Sequence, residues 1–169
     1  MSSISPRSAS SRRGSKAGPA RYVKADLFPT AAEIRREDIT RLSFGDCTFG
    51  VVIANHVLEH VADDRAAMKE IFRVLEPGGL AVLQTPYSEK LTHTFEDEGI
   101  RDEEARLQAF GQEDHVRLYG RDLFSRLQDA GFVSKVLDHD AVLKDYGESL
   151  YGVNRREPFI CMERPAAGV

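Results

Sequence analysis

The sequence has no tryptophan and only two cysteines, Cys47 and Cys161, among its 169 residues. Two thiols without metal-ligand spacing exclude a disulfide scaffold and make a reducing, cytoplasmic compartment the expectation. No stretch comes near the roughly 18 uninterrupted apolar residues that a membrane span needs, so no membrane partner is expected. Acids are missing from the first 24 positions, where Arg7, Arg12, Arg13, Lys16, Arg21 and Lys24 give a charge of +6. The remainder holds 17 bases against 27 acids. A body this acidic offers no basic footprint for nucleic acid. Residues 1–20 (MSSISPRSASSRRGSKAGPA) are also nearly free of large apolar groups and cannot bury enough surface to offset their ordering entropy, so a disordered basic tail is expected there. Without an apolar h-region this segment is not a secretory signal.

What is present reads as one globular domain, expected over residues 21–165: apolar residues make up 41% of the chain and charged residues 30%. From Tyr22 onward short apolar runs alternate with helical patterns. Residues 22–27 read as a strand closed by Phe28-Pro29, and residues 49–54 (FGVVIA) as a strand buried on both faces. Asp63-Asp64 provides a cap and an acidic first turn for a helix reaching Leu75, with Met68, Ile71, Phe72 and Leu75 on its packing face. Pro77-Gly78-Gly79 ends it, and residues 80–85 (LAVLQT) form the next buried strand. A polar stretch to Gln112 is expected to carry a short helix over residues 102–110, followed by an amphipathic helix over 121–130 stopped by Gly131. Two last strands, 133–137 and 159–162, suit an antiparallel hairpin. The expected fold is α/β: a Rossmann-like layered sheet, mostly parallel, with that hairpin at its C-terminal end.

Ligands of open α/β sheets bind beyond the carboxyl ends of the strands. Three polar groups fall at such ends: Asp26, Asp38 in REDIT, and Asn55-His56 after FGVVIA. A carboxylate in the first of these positions can accept hydrogen bonds from both ribose hydroxyls, and Asp38 with the Ile39 amide could address an adenine edge. Each acid alone is equally at home as a turn former or helix cap.

The ordered series YVKADL, EDITRLSF, DCTFGVVIANHVLEHVADD, MKEIFRVLEPGGLAVLQTP and RLQDAGF is similar to the class I S-adenosylmethionine-dependent methyltransferases, in particular the small-molecule group related to ubiquinone-biosynthesis enzymes. The resemblance covers about residues 21–134. It implies that S-adenosylmethionine is the cofactor, that Asp26 with Leu27 beside it holds the ribose, that Asp38 and Ile39 hold the adenine, and that Asn55 and His56 line the methionine end. It also implies a small-molecule methyl acceptor. That family opens with a strand and a glycine-rich loop, and nothing before Tyr22 matches them. The expected sheet is therefore incomplete at its N-terminus, as in a shortened gene product, and an unpaired edge would favour self-association. A binding module that has lost catalysis is the alternative reading.

Two other segments compete for chemistry. His56-Val57-Leu58-Glu59-His60 fits H-x-x-E-H, a zinc-hydrolase signature that needs two imidazoles on one helical face. The strand–loop–helix joint explains the same letters, His60 reads as a helix-start histidine satisfied by local backbone, and no metal ligand is assigned. His115, Arg117 and Tyr119 alternate and would share one side of an extended segment, placing His115 as a base and Tyr119 beside it over the acceptor. The competing reading is a loop pinned by Arg117 to Glu96 or Asp97.

Overall fold

The computed structural model describes residues 2–5, 22–135 and 159–166. Nine strands and three helices follow one another as β1 (Ser2–Ser5), β2 (Val23–Asp26), β3 (Ile34–Arg36), β4 (Phe49–Ile53), α1 (Asp64–Val74), β5 (Leu75–Val82), β6 (Phe95–Glu96), α2 (Glu103–Phe110), β7 (Arg117–Leu118), α3 (Leu123–Asp129), β8 (Val133–Ser134) and β9 (Cys161–Glu163). A 3₁₀ turn, Leu58–His60, precedes α1. None of the described helices is long and apolar enough to cross a membrane.

Seven strands form one sheet in the order β3-β2-β1-β4-β5-β9-β8. The pairs β2/β3 and β4/β5 are parallel, and β8/β9 is the antiparallel hairpin expected at the C-terminal end. Residues 136 and 137 of that expected hairpin lie outside the described residues. The Rossmann-like, layered α/β expectation is met.

Four residues of the segment read as a disordered tail are a strand, β1, which lies in the sheet between β2 and β4 and runs antiparallel to both. It answers backbone groups in the middle of the sheet that would otherwise lack partners. β2, β3, β4, β5 and β8 run one way, β1 and β9 the other.

Local rules explain the main elements. The Asp63 carboxylate caps α1 by accepting from the Ala66 amide at 2.9 Å. Ala67, Met68, Ile71 and Val74 turn one face of α1 into the core, joined by Phe49, Val52, Leu75 and Ala81 from the strands. The Pro77-Gly78-Gly79 segment does not end α1 as expected, since α1 stops at Val74; it loops out inside β5 as an irregularity, where the register jumps from Phe49/Leu75 to Val51/Leu80. Gly78 takes φ 78° there. Asp102 caps α2 and Gly111 ends it at φ 91°, close to the expected bounds. Two elements had no clear local signal: β3, three residues long, and the two-stranded ribbon of β6 with β7.

Candidate functional site

The carboxyl ends of β2 and β4 and the turn before α1 enclose a hollow of about 790 Å³. That volume is within the range of about 300–1,000 Å³ usual for small-molecule sites. Its floor is apolar, with Ala25, Val52, Ala54 and Ile71, and its rim is polar, with Asp26, Asp38, His56 and Asp63. Asp26 and Asp38 therefore share one cavity. A backbone hydrogen bond from the Glu37 amide to the Asp26 carbonyl, 3.0 Å, ties the two segments together.

Each of these carboxylates uses one oxygen in a local turn. Asp26 Oδ1 accepts from the Phe28 amide at 2.9 Å, and Asp38 Oδ1 accepts from the Thr40 amide at 2.9 Å and its hydroxyl at 2.7 Å. The Thr40 hydroxyl and then its amide hold the Asp38 carboxyl below the usual carboxylate range. Each carboxylate keeps a second oxygen outside its turn. Leu27 and Ile39 line the same hollow, together with Phe28, a residue 73% exposed.

The Asn55-His56 pair divides. His56 lines the hollow with a side chain 60% exposed. It adopts φ 53°, held by its amide donating to the Gln84 carbonyl at 2.6 Å. Asn55 is not one of the lining residues; its Oδ1 accepts from the Gln84 amide at 3.3 Å and so joins β4 to the end of β5.

The alternating triplet is buried on one side, but not over the hollow. Tyr119 is fully buried, and its hydroxyl donates to Asp64 Oδ2 at 2.8 Å. Burial, and then the Asp64 carboxylate, push this phenol far above its ordinary range, which removes it from acid–base work at neutral pH. His115 is buried behind His60, the rings edge to face at 4.7 Å, and does not line the hollow. Arg117 is pinned to Glu96 at 2.9 Å, as the loop reading expected. The helical face required by the zinc-hydrolase motif is not formed: His56 precedes a 3₁₀ turn of only three residues.

Arg117 matters to the site in a way its sequence position did not reveal. Its guanidinium donates to the carbonyls of Leu58, Val61 and Ala62, and Val61 and Ala62 are walls of the hollow. Glu37 is a second such residue, a buried wall whose carboxylate accepts from the Ser43 amide at 2.8 Å. A basic residue after a polar loop, or an acid beside another acid, gives no local sign of such a role.

A family model described as a methyltransferase domain matches residues 8–83. Over that stretch the chain is similar to S-adenosylmethionine-dependent methyltransferases. It is 36% identical over 67 residues to a probable S-adenosylmethionine-dependent methyltransferase of Mycolicibacterium smegmatis, covering 40% of this chain and 23% of that protein. It is 33% identical over 119 residues to an uncharacterized 37.1 kDa protein in transposon TN4556 of Streptomyces fradiae, covering 68% of this chain and 33% of that one. The chain thus spans about a quarter to a third of the length of the curated relatives it matches. The fold is similar to that of the chain solved in complex with the Trm112 methyltransferase activator of Haloferax volcanii, with a TM-score of 0.51 at 15% identity over 81% of this chain and 64% of that one. The family match starts inside the segment that the sequence alone assigns to a tail.

Proposed function

We propose that this chain binds S-adenosylmethionine in the hollow between β2, β4 and α1 and takes part in methyl transfer to a small-molecule acceptor. One observation carries the reading: Asp26 and Asp38, acids at two separate chain positions, line a single cavity with an apolar floor. The residues present fit the adenosine half of the cofactor. Asp26 accepts from the ribose hydroxyls, the Ile39 amide and Asp38 meet the adenine edge, and Leu27, Phe28, Val52 and Ala54 supply apolar contact.

Bound there, S-adenosylmethionine would supply a methyl group on a positively charged sulfur. The chain's own work is alignment and exclusion of water. Val57, Val61 and Ala62 line the hollow beside His56, where they would shield a bound cofactor from water, and Arg117 holds Val61 and Ala62 in place through their carbonyls. His56, open at the rim, takes a proton from an acceptor that must lose one, and His115 is too deep to do so directly. The roughly 790 Å³ of space suits a small acceptor beside the cofactor.

Isothermal titration of the full chain with S-adenosylhomocysteine tests the reading. Saturable heat at one equivalent is expected. Absence of heat at millimolar ligand overturns it.

A further inference from the structure

The turn before α1 leaves one buried acceptor unanswered. The Glu59 side chain is 1% exposed, and its Oε2 accepts from the Thr85 hydroxyl at 2.8 Å. Its Oε1 has no hydrogen-bond partner among the described residues. His56 Nδ1 approaches it to 3.4 Å without hydrogen-bond geometry. A carboxylate oxygen held out of water with nothing donating to it is costly, and such groups are retained where a cation or a ligand answers them.

Two imidazoles come close to that carboxylate from different parts of the chain. His60 is the next residue of the turn, and His115 comes from the loop after α2. One ligand atom from each of Glu59, His60 and His115 lies within 4.8 Å of the other two. His60 is further prepared. Its Nδ1 lies 3.3 Å from the Asp114 carbonyl and 3.3 Å from Asp114 Oδ2, which leaves Nε2 as the free ring nitrogen. A ligating histidine characteristically hands its other ring N–H to a carbonyl or carboxylate in this way.

We infer that Glu59, His60 and His115 bind a divalent transition-metal ion of the zinc class, with Glu59 Oε1 and one nitrogen of each imidazole as ligands. Two imidazoles and one carboxylate suit zinc, whereas magnesium and calcium prefer all-oxygen surroundings. Zinc takes such ligands at about 2.0–2.2 Å, so a small rotation of the partly exposed His60 ring draws the three together. The set differs from the one that the H-x-x-E-H spacing suggests: His56 is replaced by His115, about sixty positions from the motif. The ion would cross-link the Leu58–His60 turn to the Asp114–Arg117 segment, already joined by the Val116 amide donating to the Glu59 carbonyl at 2.9 Å. Because His60 and Asp114 both line the hollow, the cross-link would stiffen one of its walls. The inference does not rest on methyl transfer.

The test uses the full chain, stripped with a chelator and titrated with cobalt(II), then zinc. One equivalent of cobalt is expected to give the visible absorption bands of a low-coordinate site, zinc is expected to bleach them, and zinc is expected to raise Tm. Glu59→Gln keeps the size of a buried side chain, and His60→Gln changes a partly exposed one; both are expected to abolish the bands while circular dichroism shows a folded chain. His93→Gln is the control expected to retain them. Absence of bands with the wild-type chain, or bands that persist in both Glu59→Gln and His60→Gln, overturns the proposal, and neither result depends on cofactor binding.

Discussion

Arg117 and Arg126 divide the carboxylate of Glu96 between them: Arg117 Nε is 2.9 Å from Oε2 and Arg126 Nη2 is 2.7 Å from Oε1. Behind them lies Asp64, the first residue of α1, whose Oδ2 accepts from Arg126 Nη1 at 3.0 Å and from the Tyr119 hydroxyl at 2.8 Å. This buried group joins α1, the β6/β7 ribbon and α3, and through Arg117 it holds the walls of the hollow.

The two ends of this network should differ in worth. Arg126 and Asp64 are almost wholly buried, while the Glu96 side chain is 40% exposed. Arg126→Met is expected to cost about 3 kcal/mol, because it leaves a buried carboxylate short of a cation. Glu96→Gln is expected to cost about 1 kcal/mol, because water already screens that carboxylate. Urea unfolding of the two variants beside the parent chain checks the order, and equal losses would contradict it.

Acid should loosen the same region. Burial alone would raise the Glu96 carboxyl, but the hydrogen bonds from Arg126 and Arg117 outweigh it and hold the group below its ordinary 4.5. A carboxyl depressed in the folded state contributes stability that is present above its unfolded value and lost as pH falls through the folded one. Stability measured downward from pH 6 is therefore expected to fall below about 4.5, and the fall attributable to this group should vanish in Glu96→Gln. An unchanged acid limb in that variant would exclude the assignment.

Asp26 and Asp38 stand at the surface of the hollow, so their loss should affect ligand more than fold. Asp26→Ala is expected to weaken S-adenosylhomocysteine about 10- to 100-fold, the worth of hydrogen bonds to a charged acceptor, with Tm shifted by no more than a few degrees. Asp38→Ala should weaken it less, since the Ile39 amide remains. Titration calorimetry with a melting curve for each variant separates the two effects.

Adjacent glycines in the β5 irregularity should respond unequally. A Cβ on Gly79 would lie 2.8 Å from the Glu76 carbonyl oxygen and 3.2 Å from that of Gly50, both backbone atoms with no room to yield. A Cβ on Gly78 meets nothing within 4 Å, although φ 78° is strained for any side chain. Gly79→Ala is expected to cost about 2–3 kcal/mol and Gly78→Ala about 1 kcal/mol, read by chemical denaturation.

Ile4 pairs with Val23 on one side and Val52 on the other. Ile4→Pro removes a ladder amide from the middle of the sheet, and a loss of about 3 kcal/mol is expected. Exposed edges on β2 and β4 should then drive association, seen as a rise in mass by light scattering. A monomer of undiminished stability would show that β1 contributes nothing to the sheet.

Local chemistry was enough to read β4 from its run of β-branched residues, α1 from its Asp63 cap and apolar face, the bounds of α2, the positive φ at Gly78, and Asp26 and Asp38 as acids at strand ends. All of these depend on spacings of a few residues, which a helix turn or a strand pleat imposes directly. Tertiary packing decided the rest. Ser2–Ser5 has no apolar pattern and becomes a strand only because β2 and β4 present unpaired backbone to it. Tyr119 and His115 read as exposed candidates for chemistry, yet one turns into the core against Asp64 and the other towards Glu59, because Arg117 draws their segment down onto the Leu58–His60 turn. Such contacts join residues about twenty to sixty positions apart, and their free energy comes from burial, backbone pairing and ion pairing that no short stretch of sequence carries by itself.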